Sequence, residues 1–222
     1  MIFCKINIWY NSLRDTQIYS YVICVLLCKL RTEKWNVKFY QREDTIMDAN
    51  MKKRNELLAK TVIKGLESRN MSGYYAQDKE AALKQALELI PNGSTIAMGG
   101  CMSAHEIGLV KALQDGDYNY IDRAKLEPRE GLMAAYDADF FLSSANAVTD
   151  DGVLVNIDGN SNRVSCIAQG PKKVIFIVGI NKVCPDLDSA MKRARNVAAT
   201  ANAQRFDIKT PCKKPENALT AN

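Results

Sequence analysis

The stretch from Asp139 to Lys182 constrains the fold more than any other part of the chain. It opens with the short apolar run Phe140-Phe141-Leu142 and passes into Ser143, Ser144, Ala145 and Asn146. Asp150-Asp151-Gly152 is a turn signal, and Val153 to Ile157 alternates like a strand. Asp158 to Asn162 reads as a second turn, with a return strand from Arg163 to Ala168 that breaks at Gly170-Pro171. Lys173 to Gly179 is then an unbroken apolar run of the kind buried on both faces of a sheet. So two β-runs flank a hairpin whose turns are crowded with Asn, Asp, Thr and Ser. Such residues either shape turns with their own side chains or present amides and carboxylates to a polar ligand. A hairpin needs only a few of them.

The rest of the chain supplies helices at regular intervals. Leu57, Leu58, Val62, Ile63 and Leu66 recur at helical spacing, which predicts an amphipathic helix over 50–69. A second helix runs from Asp78 to Ile90 and stops at Pro91-Asn92-Gly93. Thr95 to Met98 is a short strand, followed by Gly99-Gly100 and a helix from about Ala104 to Leu113. Tyr118 to Ile121 suggests another strand. Glu127 to Tyr136 is a helix interrupted early by Pro128, and a long helix spans Leu187 to Ala203. Strands alternating with helices imply an α/β fold with a mostly parallel sheet covered on both faces, the hairpin inserted into it.

In such sheets, ligands bind outside the carboxyl ends of the strands. Two stretches belong at that edge. One is Gly99-Gly100-Cys101-Met102-Ser103, where glycines let backbone approach a ligand; the other is the strand end at Ser143, Ser144 and Asn146. The dinucleotide fingerprint Gly-x-Gly-x-x-Gly is missing from the sequence, and no other flavin or nicotinamide motif stands in for it, so no cofactor is assigned. Glu106 is open to two readings: a working carboxylate, or the far end of a capping box begun by Ser103. His105, the one histidine of the chain, reads as a solvated residue of a first helical turn. Cys101 sits where a helix dipole could lower its pKa. Cys166, Cys184 and Cys212 lack ligand-like spacing, so no metal is assigned.

Arg163 also has two readings. Its guanidinium suits a carboxylate or phosphate, or it bridges Asp150, Asp151 or Asp158 to lock a turn. Under either, Arg163→Ala is expected to leave the melting temperature within a few degrees, an exposed bridge being worth about 0–1 kcal/mol.

Composition excludes some classes. The net charge is +5 and unevenly spread, without the dense basic face that nucleic acid demands. Seven irregularly spaced cysteines read as reduced thiols in an intracellular protein. Residues 1–46 stand apart in composition: they hold both tryptophans and three of the seven cysteines. The apolar stretch Ile18 to Leu30 within them is too short for a membrane span and lacks a signal-peptide cleavage site. A natural start lies at Met47, so 1–46 is expected to be an extension from a misplaced start, with the domain over 47–212 and a polar tail over 213–222.

The run from Asn146 to Gly152, the run from Leu154 to Asn160, Asn162-Arg163, the run from Gly170 to Ile175 and the run from Val178 to Lys182 together resemble the LUD-domain (lactate utilisation) family. Gly99 to Ser103 and Glu106-Ile107-Gly108 extend the likeness, which covers roughly residues 50–212. The resemblance implies a fold like that of the ribose-phosphate isomerase and CoA-transferase superfamily. It also implies a homodimer and a small anionic ligand: a carboxylate, phosphate or CoA ester. Three roles follow from it: a cytoplasmic binding or accessory subunit of L-lactate oxidation to pyruvate, working with iron–sulfur oxidoreductase partners; a free-standing enzyme using Glu106 or Asp151; or a small-anion sensor. The ligand-binding set expected under it is Gly99, Gly100, Ser103, Asn146, Thr149, Asn156, Asp158, Asn160 and Arg163. Relatives carry a cysteine-rich tail after a Thr-Pro-Cys such as Thr210-Pro211-Cys212; this chain runs instead into Lys213, Lys214 and Pro215.

Overall fold

The computed structural model describes residues 5–10, 48–207 and 209–213. Its centre is a six-stranded sheet in the order β2-β1-β8-β5-β3-β4. These strands are β1 Lys5–Tyr10, β2 Met71–Tyr75, β3 Thr95–Met98, β4 Asn119–Tyr120, β5 Phe140–Ser143 and β8 Lys173–Gly179. Every pairing in it is parallel. A second sheet, β7-β6-β9, holds β6 Ala147–Thr149, β7 Leu154–Val155 and β9 Val183–Cys184. There β6 and β7 form an antiparallel hairpin, and β9 pairs parallel with β6.

The period-two alternation of the buried strands decides which layer each side chain joins. Val174, Phe176 and Val178 of β8, with Phe141 of β5 and Ala97 of β3, face one core. Ile175 and Ile177, with Phe140, Leu142 and Ile96, face the other. Helix α1, Ala49–Glu67, covers the first face through Ala59, Val62 and Leu66, spaced three and four apart so that they share one side of the helix. Asp48 caps it by accepting from the Asn50 amide. On the second face lie α2, Lys79–Glu88, capped by Asp78, and the pair α3, Met102–Glu106, and α4, Leu109–Asp115. Helices on both faces of a parallel sheet match the expected α/β architecture.

Local chemistry departs from expectation at a few points. The single helix expected from Ala104 to Leu113 is broken by Gly108, whose φ of +79° ends α3 and opens α4. Pro128 does not interrupt its helix; it starts α5, Pro128–Tyr136, where its missing N–H costs nothing. Strand β2 has no apolar run to announce it, because all five of its residues are only half-buried.

The largest correction concerns Arg163 to Ala168. These residues form helix α6, Asn162–Gln169, and not a return strand. Cys166 and Ile167 pack into the core beside Phe141, and the Asp158 carboxylate accepts from the Arg163 and Val164 amides of the first turn. The hairpin is therefore β6–β7, closed at Asp150-Asp151-Gly152, and the Asp158-to-Asn162 segment is a helix lead-in.

The long C-terminal helix begins as α7, Leu187–Arg193, capped by Asp186. It widens into a π-helical segment, Ala194–Ala199, and closes as α8, Thr200–Ala203. Of the leading stretch, the described part is β1, seated between β2 and β8; Ile18 to Leu30 lies outside the described residues. The expected start at Met47 concerns the mature N-terminus, which the intact mass of the native protein reads directly. Of the polar tail, Lys213 ends a short turn at Pro211–Lys213, and the remainder lies outside the described residues.

One contact locks the two sheets together. Gly65 of α1 lies so close to the β6–β7 turn that a Cβ there would stand 2.1 Å from the Asp151 carbonyl oxygen. Gly152, at φ +89°, meets the Gly65 backbone from the other side. Arg69 reinforces the contact by donating to the Asp151 carboxylate at 2.9 Å. Gly65→Ala must push backbone away from backbone, and it is expected to cost about 1–3 kcal/mol in urea-induced unfolding. An unchanged midpoint would show that the turn does not rest on the helix.

Candidate functional site

The chain passes from β3 outward to β4 and returns to place β5 on the opposite side of β3. Strand order thus reverses between β3 and β5, which makes the crevice at their carboxyl ends the natural ligand site. Because β8, β5 and β3 are adjacent and parallel, their carboxyl ends share one edge. From β3 comes Gly99-Gly100-Cys101, from β5 Ser144 to Asn146, and from β8 the turn Ile180–Lys182.

Arg163 organises this edge from below. Its Nε donates to Asp158 Oδ1 at 2.9 Å, and Nη2 lies 2.8 Å from the same oxygen. Its Nη1 donates to the Ser144 carbonyl at 2.6 Å and to Asn156 Oδ1 at 3.0 Å. Nη2 donates to Asn146 Oδ1 at 2.8 Å and to the Ile157 carbonyl at 3.3 Å. The pair is withdrawn from water: the Arg163 side chain is 13% exposed and that of Asp158 9%. Asn146 Oδ1 also accepts from the Ile157 amide. Gly99 admits the arginine, since a Cβ there would lie 2.5 Å from Phe141 and 3.1 Å from the Arg163 Cγ. The bridging partner is thus Asp158 and neither Asp150 nor Asp151, and the bridge is largely withdrawn from water.

Lys182 is the residue that sequence reasoning passed over. Its Nζ donates to Ser144 Oγ at 2.8 Å, and it remains partly exposed. Burial pulls its ammonium below the usual lysine range, and the Arg193 and Arg163 guanidinium groups press the same way. Glu106 is near enough to oppose them electrostatically. Cys101 would oppose them as a thiolate, but burial pushes its thiol up to about 11, so at neutral pH it carries no charge. The expected lowering of that thiol by the helix dipole does not occur, because Cys101 is 1% exposed and desolvation dominates. Arg193 holds the edge from the other side: Nε donates to the Asn181 carbonyl at 3.3 Å and Nη1 to the Asn146 carbonyl. The signal for Lys182 was its position, a cation in the first turn after a fully buried strand.

The structure sorts the expected residues into three groups. Gly99, Gly100, Ser103, Glu106, Asn146, Asn156, Asp158 and Arg163 gather at or beneath the β3–β5–β8 edge. Gly100, at φ +39°, faces open space. The capping box is corrected: α3 begins at Met102 with Cys101 as its N-cap, so Ser103 lies inside the helix and is buried.

Thr149 and Asp151 go elsewhere. Thr149 stands about 10 Å along β6 from Asn146, at roughly 3.3 Å per residue. Its hydroxyl accepts from the Val153 amide and donates to Asp151. That hydrogen bond, with Arg69 adding to it, holds the exposed Asp151 carboxyl below the usual range. Asn160 is exposed beside the α6 lead-in, where Ser161 takes a left-handed conformation at φ +57°. His105 is exposed. Among the described residues no three His, Cys, Asp or Glu side chains gather as a metal set.

A family model described as the LUD domain matches residues 59–215. The chain belongs to the LUD domain family. The match takes in every strand of the edge, from β3 through β9, and both arginines that brace it. No curated protein and no solved structure gives a significant match to the chain.

The burial of the Arg163–Asp158 pair overturns the mild effect expected from the sequence. Arg163→Ala strands a half-buried carboxylate and several carbonyls, and should cost about 1–3 kcal/mol by chemical denaturation. A loss under about 1 kcal/mol, the value for an exposed bridge, would contradict the geometry.

Proposed function

We propose that this LUD domain binds a small organic anion at the β3–β5–β8 edge. Its role in this reading is that of a cytoplasmic accessory subunit in the oxidation of L-lactate to pyruvate. It works as a homodimer beside iron–sulfur oxidoreductase partners that take the electrons. One observation carries the binding part: Lys182 is a cation kept partly desolvated against the end of β5, where charge is costly unless something uses it. Arg163 is neutralised by Asp158, so the cation the edge presents is Lys182, with Arg193 close enough to press on it. Open space beside Gly100 gives a ligand room to approach. Among the described residues no helix is long and apolar enough to cross a membrane.

A lysine whose pKa is lowered on folding penalises the native state while it is charged, and the penalty fades as pH rises through the folded value. Lys182→Met removes the penalty, so it should hold or raise the melting temperature at neutral pH. The same variant should lose the thermal shift that lactate, pyruvate, a sugar phosphate or a CoA ester gives the wild type, because stabilisation by a ligand follows from binding to the folded state. Silence of the wild type across that panel, or an undiminished shift in Lys182→Met, would refute the proposal.

A further inference from the structure

Ser144 and Lys182 come from the ends of two neighbouring strands, β5 and β8, and meet side chain to side chain at 2.8 Å. The serine is held still for that meeting. Its carbonyl accepts from Arg163 Nη1 at 2.6 Å and from Ser143 Oγ at 3.2 Å, and the residue as a whole is 6% exposed. The lysine turn is held as well, through the Arg193 bond to the Asn181 carbonyl. Across the crevice, the Gly100 turn leaves open space. A hydroxyl, an amine within hydrogen-bond reach, and a backbone that fixes both are the parts of an activated nucleophile.

We propose that Ser144 and Lys182 form a serine–lysine pair that accepts an acyl group from a small ester or thioester. The neutral Lys182 amine takes the Ser144 hydroxyl proton as Oγ bonds to the acyl carbon, and the carbonyl electron pair moves onto its oxygen. Collapse of that adduct breaks the bond to the alkoxide or thiolate, which leaves with the proton from Nζ. Water then attacks the acyl-serine, losing a proton to Nζ, and collapse of this second adduct releases the carboxylic acid as Ser144 Oγ takes the proton back from Nζ. Atoms and electrons balance without an oxidant or reductant.

Burial of the ammonium makes the neutral amine accessible nearer to physiological pH than in an ordinary lysine. The Lys182 cation, with Arg193 beside it, favours an acyl group that carries a carboxylate of its own. This inference uses the same edge as the binding proposal but does not require the lactate role. Thermal shift reports binding and covalent labelling reports the pair, so the two can fail separately.

The test is labelling of the full chain by a small fluorophosphonate, with the modified residue mapped by peptide mass spectrometry. In the wild type, Ser144 should be the residue labelled, at a rate that climbs with pH and levels below the ordinary lysine value of 10.5. Lys182→Arg keeps a cation and a donor at the position but removes the base, and should slow labelling by about 10²-fold or more. Should Lys182→Arg fail to fold, the wild-type pH profile decides alone. An unlabelled Ser144, a rate flat between about pH 6 and pH 10, or equal labelling in a folded Lys182→Arg would each overturn the pair. They would leave the 2.8 Å contact as an anchor for the turn after β8.

Discussion

The Arg163 guanidinium is the knot of this structure. A planar group with five N–H donors cannot enter a protein interior unless nearly all of them find acceptors. Here the acceptors come from the end of β5, the loop into β6, the segment after β7 and the Asp158 carboxylate. Asp158 in turn spends its other oxygen on the first amides of α6. A single side chain thus joins the main sheet, the small sheet and a helix, and each would be left with unsatisfied polar groups if it were lost. Gly99 is glycine because the arginine and Phe141 occupy the place of a side chain.

What the knot holds in place is a row of strand ends with one charge to spare. Arg163 grips the Asp158 carboxylate together with backbone and amide oxygens, and Arg193 grips backbone carbonyls, whereas Lys182 grips a serine hydroxyl at the border of solvent. Stability alone gives no reason to keep a partly desolvated ammonium there, since an apolar side chain of similar length would avoid the penalty. Residues that cost stability at a strand edge are the ones most reasonably assigned to a ligand or a reaction. Cys101 makes the complementary point. It looks poised by sequence, yet its burial leaves the thiol protonated at neutral pH and chemically quiet.

Most of the fold was legible because its signals are local and periodic. The unbroken run from Lys173 to Gly179 could only be a buried parallel strand, and the helical spacing from Leu57 to Leu66 could only be a covered helix. The segment after Asp158 was misread because Val164, Cys166 and Ala168 alternate as a strand would, while the decisive influence is a carboxylate that caps from outside the helix. Strand β2 was missed because an edge position needs no apolar run. Of the site, the glycine turn and the Asn146–Arg163 group were visible as clustered residue types. Their division of labour was not, since whether an arginine faces a ligand or a buried aspartate depends on contacts between residues 19 positions apart or fewer that no pattern encodes. Lys182 closed a family-like run but carried no sign of its partner; only the register of β8 against β5 brings it to Ser144.

In this reading Lys182 is a reluctant cation, held for an anion to find. Titration of its side-chain nitrogen by NMR, assigned by comparison with Lys182→Arg, measures that reluctance directly. Its pKa should lie below 10.5 in the free protein and move upward when an anion such as pyruvate binds and supplies a counter-charge. An ordinary lysine value in the free protein, indifferent to every anion that shifts the melting temperature, would contradict it.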